Sequence, residues 1–162
     1  MRIRLRDILA LMLLTIAGIG HAQDSIAVDF AVLIPETCAL TQMQQDELVK
    51  KVETILARTN SSGDVEQTPF VIVPDVSVTG TKTTESGLTP MTLIEGELLL
   101  LAKNRHDGVI YNQLSVTLRE TVQETAAGDP VMTLIRSIKP RESRYVRFIR
   151  VSRERIAERY KD

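Results

Sequence analysis

The fold is decided by residues 91–123, which read MTLIEGELLLLAKNRHDGVIYNQLSVTLRETVQ. Two long apolar-rich runs, Met91–Lys103 and Val109–Gln123, are joined by the polar segment Asn104–Gly108. The Asp-Gly step at the end of that segment supplies the positive φ that a tight turn requires. The sequence therefore predicts a long antiparallel hairpin.

The second arm of this hairpin has two chemically different faces. One face carries Ile110, Asn112, Leu114, Val116, Leu118, Glu120 and Val122, and the other carries Tyr111, Gln113, Ser115, Thr117 and Arg119. Successive side chains of a strand point to opposite faces, and an antiparallel sheet commonly keeps one face wet. We expect the first set to face the core and the second set to face water.

A strand and a helix are predicted before the hairpin. Ser25–Ile34 alternates with period two and ends at Pro35, which is typical of a strand. Thr41 followed by Gln44 is a capping-box pattern, and apolar residues then recur at helical spacing to about Arg58.

The second predicted strand, Phe70–Val78, contains Pro74. Because proline cannot donate to a ladder, we expect this strand to be an edge strand or to bulge at Pro74. The polar segment Thr79–Thr89 that follows is predicted to be a connection rather than a strand.

Two helices are predicted after the hairpin. Asp129 and Pro130 are typical of a helix start, and Pro140 separates this short helix from a longer one that runs to about Tyr160. The predicted order is β-α-β-β-β-α-α. We expect an α+β fold with a mixed, mostly antiparallel sheet, a long hairpin and helices packed on one face.

Residues 1–22 have the pattern of a cleavable signal peptide. Three arginines in the first six residues precede an uncharged apolar run, Ile8–Ile19. That run has 12 residues, whereas a membrane-spanning helix needs about 20. Gln23 stands where a lipid anchor would need a cysteine. We expect a free, exported product, periplasmic or secreted, with a single domain at 23–162.

The inventory of reactive residues argues against catalysis. Cys38 is the only cysteine, and we expect it to act as a small buried hydrophobe, with intermolecular pairing as the alternative. His106 is the only histidine after the predicted cut and lies in a turn beside Asp107. The carboxylates of Glu95 and Glu97 share a strand face. We expect no enzyme activity, no metal and no cofactor, and keep a small periplasmic hydrolase using Glu95/Glu97 or His106 as an alternative.

Positive charge is concentrated at the carboxyl-terminal end. Residues 136–162 contain ten Lys/Arg and four Asp/Glu, a net charge of +6, whereas residues 23–135 contain seven and sixteen, a net charge of −9. Five arginines repeat every three residues along the last predicted helix: Arg141, Arg144, Arg147, Arg150 and Arg153. Such steps spread side chains over a broad belt. The belt either contacts an anionic partner or is a solvated face balanced by the acidic remainder.

The hypothesis favoured by the sequence is a non-catalytic binding or assembly module of the cell envelope. Its candidate contact surfaces are the arginine belt and a strand edge formed by Phe70, Ile72, Val76 and Val78, because an exposed edge can accept a partner strand. We expect an envelope protein as partner and no nucleic acid, since the chain lacks interleaved aromatic residues. A soluble carrier of an apolar ligand is a further alternative, and the oligomeric state stays open.

Several of these segments resemble those of small exported proteins of Bacteroidota-type bacteria. The resemblance is carried by Phe70–Val78, by the Asp107-Gly108 hairpin with Tyr111, by Ile135–Pro140, and by Phe148, Ile149 and Ile156–Tyr160. More distantly, the order of elements is similar to the TolB amino-terminal domain and to CsgG-like envelope proteins, although the chain has neither the propeller of the first nor the lipid anchor and pore-forming segments of the second. The resemblance implies an α+β fold and a role in contacting envelope proteins, and it implies no reactive residue.

Overall fold

The computed structural model describes residues 28–85, 89–124 and 128–161. The predicted signal peptide at 1–22 lies outside these described residues. The elements are β1 (Ala31–Val32), α1 (Gln42–Arg58), β2 (Phe70–Thr84), β3 (Met91–Asn104), β4 (Ile110–Gln123), α2 (Pro130–Ser137) and α3 (Ser143–Arg159). This order confirms the predicted β-α-β-β-β-α-α arrangement.

The strands form one mixed, mostly antiparallel sheet. Its order is β1-β2-β3-β4, with β1 parallel to β2 and the other neighbours antiparallel. The predicted α+β fold class is therefore confirmed. The long strand β4 forms one edge of the sheet, while the two-residue strand β1 lies beside the start of β2.

The predicted hairpin between β3 and β4 is confirmed. Gly108 has a φ of 73°, a backbone conformation that glycine adopts without steric cost. The Asp107 carboxylate accepts a hydrogen bond from the backbone N–H of Val109 at 2.9 Å, and the Asn104 side chain accepts one from His106 at the same distance. These short side chains hold the turn locally.

The face assignment of β4 is wrong at its first two residues. The structure pairs Lys103 with Ile110 and Ala102 with Asn112, so Tyr111 is an extra residue in a β-bulge. Ile110 is 54% exposed and Tyr111 only 8% exposed, which reverses the expectation. The reason is that a bulge shifts the alternation of side chains by one position. From Asn112 onward the faces alternate as predicted.

The predicted connection after Val78 is also wrong as far as Thr84. The ladder between β2 and β3 resumes beyond an irregularity between Val78 and Gly80 and continues to the pair Thr84–Met91. Threonine is β-branched and suits an extended strand despite its polarity. The strand therefore continues as an exposed outer strand beside β3, whose residues Met91–Glu95 also pair with β4 on their other side.

Pro74 does not interrupt β2, because its missing N–H lies outside the ladder with β3. The Ile72 carbonyl accepts a hydrogen bond from the N–H of Leu33, so the backbone of Ile72 points away from β3. Residues two apart in a strand point the same way, which places the Pro74 nitrogen on the same outer side. Pro74 keeps its register with Leu100 of β3.

The helices pack on one face of the sheet around a single main core. Its largest fully buried side chains include Phe30, Leu48, Ile55, Ile72, Ile94, Leu98, Leu134, Ile149 and Tyr145. A smaller apolar cluster of Ala31, Val71 and Val73 lies on the opposite face. Within the described ranges, no helix combines the length and apolarity needed to cross a membrane.

Two polar contacts tie α1 to α2. The Gln44 side chain accepts a hydrogen bond from the N–H of Thr41, which completes the predicted capping box, and donates one to the Asp129 carboxylate at 2.5 Å. Asp129 also caps α2 by accepting from Val131 N–H at 2.9 Å. At the other end of α2, the Lys51 ammonium donates to the carbonyls of Arg136 and Ile138.

Candidate functional site

The residues proposed for a hydrolase do not converge on a cleft. Glu95 forms an ion pair with Arg119 at 2.9 Å, and Glu97 accepts a hydrogen bond from the Ser115 hydroxyl, both on the polar face of the hairpin. His106 is exposed in the turn at the far end of β3. These contacts account for both carboxylates as parts of a cross-strand polar ladder. Cys38 is half-buried.

The side chains of the predicted strand-edge contact are mostly in the core. Phe70, Ile72 and Val76 are 8%, 0% and 5% exposed, whereas Val78 is 36% exposed. The side chains of β2 that were expected to meet a partner are instead covered by the helices, because they share the face on which the helices pack. β1 pairs only with Val71 and Ile72, so any open edge of β2 begins after them and starts with Pro74.

The arginine belt divides between two sides of α3, and the prediction that the helix includes Arg141 is wrong, because Arg141 lies in the turn before α3 begins at Ser143. The helix buries Tyr145, Phe148, Ile149, Ser152 and Ile156 against the sheet and α1. Arg141, Arg144, Arg147 and Arg150 line one groove beside β4. Arg153 instead donates to the Ser61 hydroxyl at 3.4 Å, near the carboxyl end of α1.

We call the space between α3 and the edge of β4 the arginine groove. It is an open cleft of about 820 Å³. Its floor and strand side are formed by Asn112, Gln113, Leu114 and Phe148, and its helix side by Ser143, Val146, Val151 and the four arginines Arg141, Arg144, Arg147 and Arg150. Apolar and cationic side chains therefore lie next to each other in one cleft.

The arginine groove continues along the edge of β4 as a narrower cleft. This second cleft, of about 120 Å³, is lined by the β4 residues from Val116 to Glu120 and by Lys139, Glu142, Arg144 and Tyr145. Arg144 lines both clefts. Because a strand rises about 3.4 Å per residue, the stretch from Asn112 to Glu120 spans about 27 Å.

One end of the groove is closed by contacts between α3 and the bulge of β4. The Arg155 guanidinium donates to the Tyr111 carbonyl at 3.0 Å and to the Asn112 side-chain oxygen at 2.9 Å. The Asn112 amide in turn donates to the Phe148 carbonyl at 3.3 Å and to the Ser152 hydroxyl at 3.2 Å. Arg155 thus satisfies the carbonyl that the bulge turns away from β3.

The charges in the groove are weakly compensated. Arg144 pairs with the half-buried Glu142 at 2.5 Å, and Arg150 lies 3.7 Å from the exposed Glu154. Ion pairs that are open to solvent contribute little and are screened by salt. Arg141 and Arg147 form no ion pair or hydrogen bond with any side chain in the described ranges. The groove therefore has a positive potential suited to an anion.

The edge of β4 also presents unpaired backbone groups. The N–H of Glu124 bonds to Pro90 on the β3 side, and the Tyr111 carbonyl points outward to Arg155. Successive residues of a strand direct their N–H and C=O groups to alternate sides. The backbone groups of Gln113, Ser115 and Thr117 therefore point outward, away from β3. Within the described residues, no hydrogen bond engages these outward groups. This edge is not predicted from the sequence, because a polar strand face does not show which strand is outermost in the sheet.

A tyrosine pair lies behind the groove, at the end of α3. The hydroxyls of Tyr111 and Tyr160 share a hydrogen bond at 3.2 Å, and Phe70 meets the Tyr111 ring edge-on at 5.9 Å. Burial, followed by the hydrogen bond to Tyr160, raises the pKa of Tyr111 to about 12. The hydrogen bond between the two hydroxyls links β4 to the end of α3.

No family model matches the sequence, and no curated protein matches it. The resemblance to exported Bacteroidota-type proteins, TolB and CsgG consequently stays a prediction.

Three solved structures of bacterial proteins have a distant likeness to this chain. A minor lipoprotein from Acinetobacter baumannii has a TM-score of 0.43 and 10% identity, covering 83% of this chain and 92% of its own. A predicted lipoprotein from Caulobacter crescentus has a TM-score of 0.40 and 9% identity, with 80% and 85% covered. A predicted neuraminyllactose-binding hemagglutinin homologue from Helicobacter pylori has a TM-score of 0.38 and 11% identity, with 83% and 81% covered. Likenesses at this distance assign neither family nor function.

Proposed function

We propose that this protein is a non-catalytic binding module of the bacterial cell envelope and that it contacts an anionic region of a partner protein through the arginine groove. The observation that carries this proposal is the cluster of Arg141, Arg144, Arg147 and Arg150 in one cleft beside an open strand edge. Arginine is the cation best suited to interfaces, because its planar guanidinium pairs with carboxylates in a fixed geometry.

The envelope location rests on the sequence. The basic, then apolar amino-terminal segment has the pattern of a secretory signal, which supports a location in the periplasm or outside the cell. The non-catalytic role is supported by the separation of the reactive groups: Glu95 and Glu97 are engaged on the polar sheet face, and His106 lies in the distant hairpin turn.

A capture experiment with matched charge variants tests the proposal. The purified protein is immobilised and exposed to a bacterial envelope extract, and bound proteins are identified by mass spectrometry. The groove variant carries Arg144→Glu, Arg147→Glu and Arg150→Glu. The control variant carries Lys50→Glu, Lys82→Glu and Arg159→Glu, three exposed positions that do not line the groove. Both variants change the net charge equally.

We expect the wild type and the control variant to retain the same partner and the groove variant to lose it, by at least tenfold in recovered amount. Circular dichroism and thermal unfolding verify that all three proteins remain folded. Retention of the partner by the groove variant would refute a role for the arginine groove. Equal loss in both variants would show that net charge alone governs binding, which also contradicts the proposal.

A further inference from the structure

The two edges of the sheet differ in how they are protected against pairing with another strand. Exposed edges invite pairing with other chains, and proteins usually block them with proline, lysine, bulges or very short strands. The β2 side has the short strand β1 followed by Pro74. β4 has a bulge at Tyr111 and one cation at Arg119, but the stretch between them contains no proline or lysine. This stretch is an edge left open for pairing.

The open stretch of β4 runs along the arginine groove. A strand added beside Gln113–Arg119 would place every second side chain on the face of the sheet where α3 lies. On that face it would meet the guanidinium groups of Arg144 and Arg147 and the apolar side chain of Leu114. The first turn of α3 lies there too, and Glu142 does not cap it with a side-chain hydrogen bond. Free N–H groups at a helix start add to the positive potential.

We propose that the edge of β4 from Gln113 to Arg119 accepts an extended acidic peptide segment of a partner protein as a fifth strand, whose carboxylates pair with Arg144, Arg147 and Arg150. This inference rests on the proposed function and specifies the partner. The complementary segment has about seven residues, because it matches the length of the open stretch. Acidic side chains alternate in it with polar ones, since the opposite face of β4 carries Gln113, Ser115 and Thr117.

The geometry favours a peptide over two other occupants. A lipid phosphate can accept hydrogen bonds from N–H groups and arginines, but it offers no donor to the outward carbonyls of β4, whereas a peptide backbone offers both. A second copy of this chain, paired through its own β4 in antiparallel fashion, would place both α3 helices on the same sheet face. The arginine grooves of the two copies would then face each other, and like charges oppose that contact.

Direct binding of a defined peptide tests the inference. The probe is an acetylated, fluorescein-labelled octapeptide in which glutamate and threonine alternate, measured by fluorescence anisotropy at low salt. Two further peptides carry N-methyl groups on all glutamate amides or on all threonine amides. In an extended strand these two sets of amides point to opposite edges. Only one set can face β4, so methylation of that set should weaken binding at least tenfold and methylation of the other should leave it within twofold.

Variants of the protein separate the backbone contribution from the charge contribution. Ser115→Pro removes an outward N–H while leaving the ladder with β3 intact, as Pro74 does in β2. Ser115→Ala is the matched control, because it removes only the hydroxyl that bonds to Glu97. We expect at least tenfold weaker binding for Ser115→Pro and for the groove variant, and no more than a twofold change for Ser115→Ala. Thermal unfolding verifies that Ser115→Pro is folded. Gln113→Pro, which also removes an outward N–H, serves in its place if Ser115→Pro is not folded.

Several results would overturn the strand inference. Equal binding of both methylated peptides would show that charge alone holds the probe. A wild-type protein that does not bind the octapeptide at roughly 1 mM, the weak limit of specific recognition, would also refute the strand inference. Binding of phosphatidylglycerol vesicles that Ser115→Pro leaves unchanged, with no peptide binding, would identify a membrane surface as the occupant. A concentration-dependent dimer in sedimentation velocity that Ser115→Pro abolishes would identify a second copy. In each case the capture experiment above still decides separately whether the groove binds a protein.

Discussion

Among the glycines of the described ranges, Gly96 leaves the least room for a Cβ atom, which predicts a large effect of one added methyl group. Gly96 lies in the middle of β3, opposite Val78 of β2 and Leu118 of β4. A Cβ atom at this position would lie 2.3 Å from the Leu134 Cδ1 atom and 2.4 Å from the Ser77 carbonyl oxygen. Non-bonded carbon atoms normally approach to about 3.5 Å. Both neighbours would have to move by more than about 1 Å to reach such a separation.

The cost of Gly96→Ala follows from these two contacts. Leu134 is fully buried in α2, and the Ser77 oxygen belongs to the backbone of a paired strand, so neither can rotate away freely. Overpacking of this kind costs about 1–3 kcal/mol, while removing glycine from the unfolded chain returns about 0.4–1 kcal/mol. With two contacts the cost lies at the upper end, and we expect a net loss of about 2 kcal/mol. That loss lowers the Tm by roughly 6–10 °C.

Urea and thermal denaturation of the purified variants measure this effect. Gly80→Ala is the control, because the nearest atom to its added Cβ is the Glu95 Oε2 atom at 4.0 Å. We expect Gly80→Ala to change the free energy of unfolding by less than about 1 kcal/mol. Adding Leu134→Ala to Gly96→Ala removes one of the two clashes, so the double variant should be more stable than the sum of the single variants predicts. A Gly96→Ala protein as stable as Gly80→Ala would refute the reasoning.

Three further predictions concern polar contacts that hold the helices. Asp129→Ala removes the cap of α2 and the acceptor for Gln44, so it should lower the free energy of unfolding by about 1–2 kcal/mol in urea titrations. Asp129→Asn should lower it less, and equal losses in the two variants would contradict the capping role. Because the pKa of Tyr111 is raised to about 12 from about 10 in the unfolded chain, its stabilising contribution is complete below pH 10 and decreases between about pH 10 and 12. Burial also raises the pKa of Tyr145, so absorbance titration should show two late-ionising tyrosines, of which Tyr111→Phe removes one; an unchanged amplitude of the late phase would exclude the assignment. Arg155→Ala frees the Tyr111 carbonyl and should raise amide hydrogen exchange around the bulge, whereas unchanged exchange would show that Arg155 does not hold it.

The parts of the fold that sequence predicts correctly depend on signals a few residues apart. Asp107 and Gly108 form the turn through their own backbone preferences and a local hydrogen bond. Thr41 and Gln44 complete a capping box within one turn, and Asp129 caps the helix that begins at the next residue. Such interactions are encoded wherever the residues occur together, so the sequence alone predicts them.

The errors arise where a strand depends on its partner. Tyr111 and Ile110 exchange faces because the register of β4 against β3 requires one extra residue at the bulge. The segment from Thr79 to Thr84 is a strand because Met91–Glu95 is available to pair with it. Neither fact is visible in the hydrophobic pattern of a single segment, since register is fixed between neighbouring strands and not within one strand.

In the candidate site, too, the feature within one segment is predictable and the feature that depends on two strands is not. The open edge of β4 is not predicted for a specific physical reason. The spacing of Arg144, Arg147 and Arg150 predicts a basic helix face from a single segment, but the strand beside that face depends on the order of strands in the sheet. Pro74 predicts an edge at β2, because proline is typical of an edge strand. Proline is common at edges because it prevents pairing there. The local sequence signal for an edge strand is therefore a signal for a protected edge. A strand that is open for docking, as we propose for β4, has no such signal and is identified only from the order of strands in the folded sheet.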